Sequence, residues 1–267
     1  MKNWEKFENE CAEYLQNKYS DQNINFELKG GFISNSNDII ATKNGKELFA
    51  IECKMSQSQC GQFVLEANKK NKKFIFSDKN KTPLDKYAKA IIREMNNNFE
   101  LCLSSGKDLP IEEKLISKWV KNYYLNFKKT QFCITKSKTE YIIFPIEKFD
   151  KYFTFSAMYR MKKSGSSNPS TKNIAEIEKL LKIIDVNAKI EIIKDECYAI
   201  INTDKDLLII KGDNYRYQLK REKEKFKIRR LSNTSHSNFI VSIKLKHSKQ
   251  SKTHLKIFEK SLSNQIK

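Results

Sequence analysis

The most constraining stretch of this chain is a run of four apolar residues, Leu48-Phe49-Ala50-Ile51, that stops abruptly at Glu52-Cys53-Lys54. A short, unbroken apolar run beside a turn signal reads as a central strand covered on both faces; a half-exposed strand would alternate. Asn44-Gly45 lies just upstream and marks a tight hairpin. Across that turn, residues 37–42 form a second strand-like run that carries Asp38. The chain is thereby committed to a buried hairpin with charged side chains at its open end, and charges in such a place need a reason.

The flanking sequence supplies the rest of a domain. Trp4, Phe7, Cys11, Tyr14 and Leu15 recur at three- and four-residue steps, which predicts an amphipathic helix over residues 4–19. Residues 24–29 predict a strand stopped by Gly30-Gly31. Beyond the hairpin come a helical stretch around 61–68, a strand at 73–76, and a helix from Pro83 to about 97. A helix from Pro110 to about 127, strands at 131–135 and 140–144, and a short helix at 145–152 follow. This order is a mixed α/β core. Composition shifts near residue 155. Residues 162–170 have the Gly, Pro and Ser content of a loop, and 174–184 predict a helix. Strands are expected at 198–202, 207–211, 215–220, 226–231 and 239–245, and the polar last 20 residues are expected to fray. The expected domains are therefore 1–155, an α/β core, and 156–267, a basic, β-rich region.

Composition excludes several classes. With 267 residues, 39% hydrophobic and 11% aromatic, the chain is globular rather than disordered. No apolar run reaches the roughly 18 residues of a membrane span, and Met1-Lys2-Asn3-Trp4 does not open a signal peptide. A cytoplasmic protein is expected, with no membrane partner and no small-molecule cofactor. The six cysteines form no C-x-x-C pair, and the three histidines lie near the C-terminus, so reduced buried thiols are expected rather than disulfides or zinc.

The net charge of +19 asks for a polyanionic partner. Residues 1–155 carry +6 of it and residues 156–267 carry +13. Five of the six arginines, Arg160, Arg216, Arg221, Arg229 and Arg230, fall in the second part. Arginine offers phosphate or a guanine edge a planar fork that lysine lacks.

Asp38, Glu52 and Lys54 suit phosphodiester cleavage. Two carboxylates would hold a divalent cation, and a lysine would position the nucleophile or offset developing charge. Glu52 and Lys54, two apart on a strand, share a face; Cys53 points the other way, though its backbone carbonyl is a candidate ligand. Mg²⁺ suits such an all-oxygen site, with Mn²⁺ as a substitute. The hairpin sets a condition. A strict two-residue turn pairing Lys43 with Lys46 puts Asp38 opposite Ile51 and Glu52 opposite Asn37, on different faces. The site therefore requires an irregular hairpin, for example a three-residue turn with a glycine bulge.

Asp38 followed by Glu52-Cys53-Lys54 resembles the active-site hairpin of the PD-(D/E)xK nuclease superfamily, which includes type II restriction endonucleases. Asn37 stands where the family's proline would be. Phe7-Glu8 on the first helix is similar to the phenylalanine-glutamate helix of the Mrr-like and resolvase members, which implies that Glu8 lies beside the metal. Gln62, with Gln59 as an alternative, sits where many members carry a catalytic-site glutamine. The resemblance covers residues 1–155 and implies a restriction-endonuclease-like core, a mixed central sheet flanked by helices.

The remainder reads as a DNA-recognition region. Tyr152, Phe153, Phe155 and Tyr159 lead into Arg160 and a polar basic stretch with Lys162, Lys163, Ser164, Ser166 and Lys172. Residues 215–221 and 226–230 predict one hairpin whose basic face bears Arg216, Lys220, Arg221, Arg229 and Arg230, a ribbon that fits a major groove. Asn233, Ser235 and Asn238 follow as further contacts. Together these features predict a Mg²⁺-dependent, sequence-specific endonuclease acting on double-stranded DNA as a homodimer. The rivals are a Mrr-like, repair or Holliday-junction nuclease, and a non-catalytic DNA-binding protein on a nuclease-like core.

Overall fold

The computed structural model describes residues 3–29, 37–103, 108–163, 166–193, 196–231 and 235–263. It divides into two compact units, Met1–Arg160 with Asn238–Lys267, and Met161–Ser237. The expected boundary at 155/156 thus falls five residues later, and the last 30 residues rejoin the first unit.

In the first unit, helix α1 (Asn3–Lys18) precedes strands β1 (Ile24–Leu28), β2 (Ile39–Lys43) and β3 (Lys46–Cys53). Then follow β4 (Gln57–Asn68), β5 (Lys73–Phe76), α2 (Lys86–Asn97), α3 (Phe99–Leu103) and α4 (Glu113–Asn122). A π-helical turn, Tyr123–Phe127, extends α4 and leads to β6 (Thr130–Lys136), β7 (Tyr141–Pro145), a 3₁₀ turn at Ile146–Lys148 and α5 (Phe149–Tyr152). The central sheet has the order β1-β2-β3-β6-β7; β3 and β6 run parallel and the other neighbours antiparallel, so it is mixed. Strand β3 is buried continuously from Phe49 to Cys53, as its apolar run predicts.

The hairpin is irregular, but not at its turn. Asn44 and Gly45 take φ of +51° and +75°, the left-handed pair that Asn-Gly supplies in a two-residue turn. Lys43 pairs with Lys46 and Thr42 with Glu47 in strict register. The register then slips: Ala41 faces Phe49, and Leu48 is the extra residue of a β-bulge. From there Ile40 faces Ala50 and Ile39 faces Ile51, so one further step brings Asp38 level with Glu52.

Two expectations are corrected here. The stretch expected to be helical at 61–68 is strand β4, because Phe63, Leu65 and Ala67 alternate inward. Gly61 lets this strand approach Trp119, whose ring would lie 2.8 Å from an added Cβ. Helix α2 starts after Pro83, where the Asp85 carboxylate accepts hydrogen bonds from the Tyr87 and Ala88 amides. Tyr152, Phe153, Phe155 and Tyr159, which lead into Arg160, are buried in a hydrophobic core.

Strand β8 (Phe153–Lys163) carries the chain to the second unit, which contains β9 (Ser166–Ser167), α6 (Thr171–Ile184), β10 (Lys189–Ile193), β11 (Glu196–Ile200), β12 (Leu207–Lys211), β13 (Arg216–Glu222) and β14 (Lys225–Leu231). Its sheet runs β10-β11-β14-β13-β12, with β9 paired to β14. Ile177 and Leu181 of α6 pack on Tyr217, Leu219, Phe226 and Ile228. The segment expected to be a loop at 162–170 is therefore partly strand. Strand β15 (Ser235–Leu245) brings the chain back, and β5-β4-β15-β8 form a second sheet of the first unit.

The expected fraying at the C-terminus is also corrected. Residues 252–263 form α7 (Lys252–Ser263), with His254, Phe258 and Leu262 buried. The Phe258 ring lies 5.4 Å from Phe49, 5.0 Å from Phe132 and 5.6 Å from Tyr19. Phe258→Ala is expected to cost about 3–5 kcal/mol. Denaturant unfolding checks this; a cost under about 1 kcal/mol would contradict the packing. All six cysteines are buried and free, as expected. Among the described residues no helix is long and apolar enough to cross a membrane.

Candidate active site

The bulge brings Asp38 level with Glu52 on one face of the hairpin. Asp38 stands at the entry of β2, and its Oδ2 accepts a 2.8 Å hydrogen bond from the Cys53 amide. Glu52 is 3% exposed, between Ile51 and Cys53 in the buried half of β3. Lys54 Nζ donates to Glu52 Oε1 at 2.6 Å, and Lys128 Nζ donates to Oε2 at the same distance. Tyr124, fully buried with its hydroxyl on the Cys60 carbonyl, places its ring 5.8 Å from the Lys54 ammonium and 5.6 Å from that of Lys128. The aromatic face adds a second attraction for both cations.

Lys128 was not found from the sequence. It follows the π-helical turn, and its amide donates to the Tyr123 carbonyl at 3.0 Å, closing the wide turn. One lysine among 45 carries no signal by itself. A lysine pair opening a buried strand, Lys128-Lys129 before β6, was the available hint.

The electrostatics identify these groups as one cluster. Burial and the facing Glu52 carboxylate push Asp38 up to about 6, against the pull of Lys54, Lys128 and the Cys53 amide. Burial and Asp38 push Glu8 up to about 7, so Glu8 on α1 is near enough to sense the pair. Glu10 instead pairs with Lys6 and Lys136 at the surface. Burial acts on Glu52 in the same upward sense, but the two ammoniums outweigh it and hold the carboxyl below its ordinary range. Burial would lower Lys54, yet Glu52, Tyr124 and Asp38 hold it well above its usual value. Lys54 is a fixed cation here, not a base.

These shifts carry a stability prediction. A raised carboxyl stabilises the fold below its ordinary value, and that contribution is lost as pH climbs through about 7 for Glu8 and about 6 for Asp38. Glu52, being lowered, has the opposite sign and loses its contribution only in acid. Without divalent cations, Glu8→Gln should gain thermal stability relative to the unmodified chain as pH rises from about 5 to about 8. A difference in Tm that does not change with pH would remove Glu8 from the cluster.

A cavity of about 360 Å³ opens on this cluster, lined by Glu52, Lys54, Lys128, Gln59, Gln62 and Lys81 among others. Gln62 therefore reaches the site from strand β4 rather than from a helix, and its side-chain oxygen accepts from Gln59 at 3.0 Å. Asn238 also lines the cavity, buried, on β15. Among the described residues no three His, Cys, Asp or Glu side chains converge closely enough to form a metal cage alone. Mg²⁺ does not need one: it keeps several waters and takes one or two carboxylates. The facing Asp38 and Glu52, all-oxygen donors in a mutually repelling pair, fit that requirement.

The second unit sorts its basic residues by strand parity. Arg216 and Lys220 on β13 share one face with Arg229 on β14. Arg221 and Arg230 lie on the other, with Tyr217, Leu219, Phe226 and Ile228. The single basic face expected from the sequence is thus two half-faces. Arg221 stacks over Phe226 at 4.5 Å and pairs with Asp206 at 3.0 Å; Arg230 stacks over Tyr215 at 4.6 Å. Arg229 is occupied by Ser166 and Asn168. Arg216 and Lys220 form no ion pair among the described residues, and Arg160, Ser166 and Lys172 are exposed. Lys162 and Lys163 lie on β8 and Ser235 on β15 by their backbones, while Ser164 and Asn233 lie outside the described residues.

A mixed sheet flanked by helices, with its acidic pair and lysine at the open end of one hairpin, is a restriction-endonuclease fold. The chain is similar to the solved structure of HhaI endonuclease in complex with DNA, 34% identical with a TM-score of 0.82, over 98% of this chain and 100% of that one. It belongs to the HhaI endonuclease family. No protein-family model and no curated protein matches it.

Proposed function

We propose that the protein is a sequence-specific endonuclease of the PD-(D/E)xK type that hydrolyses double-stranded DNA with Mg²⁺. The observation that carries this reading is the Leu48 bulge, which turns Asp38 and Glu52 toward each other beside Lys54. The kinship with an endonuclease solved on DNA supports the substrate class. Asp38, Glu52 and the Cys53 carbonyl would hold the cation, which when bound polarises the scissile phosphate and lowers the pKa of water. Lys54, permanently charged, orients the attacking oxygen and offsets charge growing on the phosphate. Glu8 accepts a proton near neutrality from the site's edge, and Gln62 contacts the strand from the β4 wall of the cavity.

The second unit supplies recognition. Arg216 and Lys220, without an ion pair among the described residues, are its cations on β13; Lys162, Lys163, Ser164, Ser166, Lys172 and Asn233 are assigned to the DNA backbone, as is Arg160 of the first unit. Arg221 and Arg230 support it from the packed face, and Arg229 anchors the Ser166 segment. The joint variant Arg216→Ala, Lys220→Ala is expected to flatten the salt dependence of DNA binding by about 0.9 for each phosphate that the protein no longer neutralises. Fluorescence anisotropy at several salt concentrations measures the slope; an unchanged slope removes this face from the interface. Cutting both strands of a short site calls for a symmetric pair of chains in the cytoplasm.

The deciding experiment is incubation with plasmid DNA and Mg²⁺ followed by sequencing of the ends. Discrete ends at one motif are expected. Random nicks or junction-only cutting point to a different nuclease, and binding without cutting in either Mg²⁺ or Mn²⁺ points to a non-catalytic protein.

A further inference from the structure

Both oxygens of Glu52 are already taken. Lys54 holds Oε1 and Lys128 holds Oε2, each at 2.6 Å, in a site where Glu52 and Lys128 side chains are 4% and 5% exposed. A carboxylate this buried cannot draw a counter-charge from solvent, so the fold provides one. Lys54 has a place in the proposed chemistry from its position just beyond β3. Lys128 has none there: it arrives from the far end of β6, delivered by a π-helical turn, and such turns recur at functional sites. Its ammonium also faces the cavity, with the Tyr124 ring beside it.

The geometry points to Lys128 as the resident counter-cation of Glu52, which sets how weakly the DNA-free protein binds a divalent ion. This rests on the reading of Glu52 as a ligand. Two effects follow from the ammonium, and they have the same sign. It occupies an oxygen that an incoming cation would use, and it repels that cation across a few ångströms of low-dielectric interior. Removing an orienting partner from the carboxylate works the other way, but a freed rotamer costs far less than a neighbouring like charge. Neutralising Lys128 therefore tightens divalent binding even though it removes a partner of Glu52.

The test uses Mn²⁺ alone and the full-length chain without DNA, with bound ion read from the loss of the free-ion electron spin resonance signal. Lys128→Met and Lys128→Gln are expected to bind Mn²⁺ at least about tenfold more tightly than the unmodified chain. Lys128→Arg, which keeps the charge, is expected to stay within about threefold of it. The bound ion must disappear in Glu52→Gln. Equal or weaker binding by the neutral variants overturns the inference and leaves Glu52 as a ligand. Absence of any Glu52-dependent binding in every variant overturns the reading beneath it as well. Where the neutral variants do not fold, lysine-ammonium NMR of the unmodified chain decides. The Lys128 signal should lose its protection as diamagnetic Ca²⁺ saturates the site; a signal that stays protected overturns the inference.

Discussion

Asp38→Asn is expected to abolish cleavage and, at the same time, to make the cation-free protein more resistant to heat near about pH 8. The two effects share one cause. Burial, and next the Glu52 carboxylate that faces it across the hairpin, raise Asp38 to about 6. Asparagine still accepts the Cys53 amide through its side-chain oxygen, so the hydrogen bond at 2.8 Å survives while the repulsion goes. The folded protein gains, and the cation loses a ligand. A fall of at least about 10³-fold in cleavage rate is expected, since a metal-held phosphate draws several kcal/mol from the charge that the ligands supply. Single-turnover cleavage and a thermal melt in chelator measure the two effects. A variant that is less stable at high pH, or that cuts within tenfold of the normal rate, would show that the carboxylates are structural.

Lys54→Ala is the second large effect. DNA binding in Ca²⁺ should change little, because phosphate contacts along the duplex dominate affinity. Cleavage should fall by about 10²–10³-fold, the usual cost of losing one charge aimed at the reacting phosphate. Lys54→Arg should recover only part of it, since a planar guanidinium spreads the charge that a compact ammonium concentrates on the reacting oxygens. Loss of binding in step with cleavage would assign Lys54 to affinity instead.

The site was legible because its parts break local rules. A continuous apolar strand ending in two charges is conspicuous, and so is Asn-Gly before it. The bulge was legible only as a requirement. Leu48 looks like any other core residue, and nothing local says that it, rather than the turn, absorbs the extra position. Gln62 lines the cavity from a strand rather than from the expected helix, and the alternation of Phe63, Leu65 and Ala67 already contradicts a helix. The division of the basic hairpin was available from period two alone: Arg221 shares parity with Leu219, and Arg230 with Ile228. Lys128 depends on a π turn and on a parallel pairing between distant strands, neither of which leaves a mark on neighbouring residues. Helix α7 was hidden by its polar composition, although His254, Phe258 and Leu262 stand four residues apart along it.

The return of the chain in β15 and α7 bears on how the molecule comes to be. Tyr19, Phe49 and Phe132 share one layer with Phe258, a residue more than 120 positions further along than any of them. Contacts between such distant parts of a chain must wait for loop closure, which slows folding. During synthesis, the sheet that bears Asp38 and Glu52 emerges from the ribosome long before the helix that covers it. The hydrophobic layer against β3 is therefore finished last, so a nascent chain passes through the interval with Asp38 and Glu52 on an incompletely covered sheet.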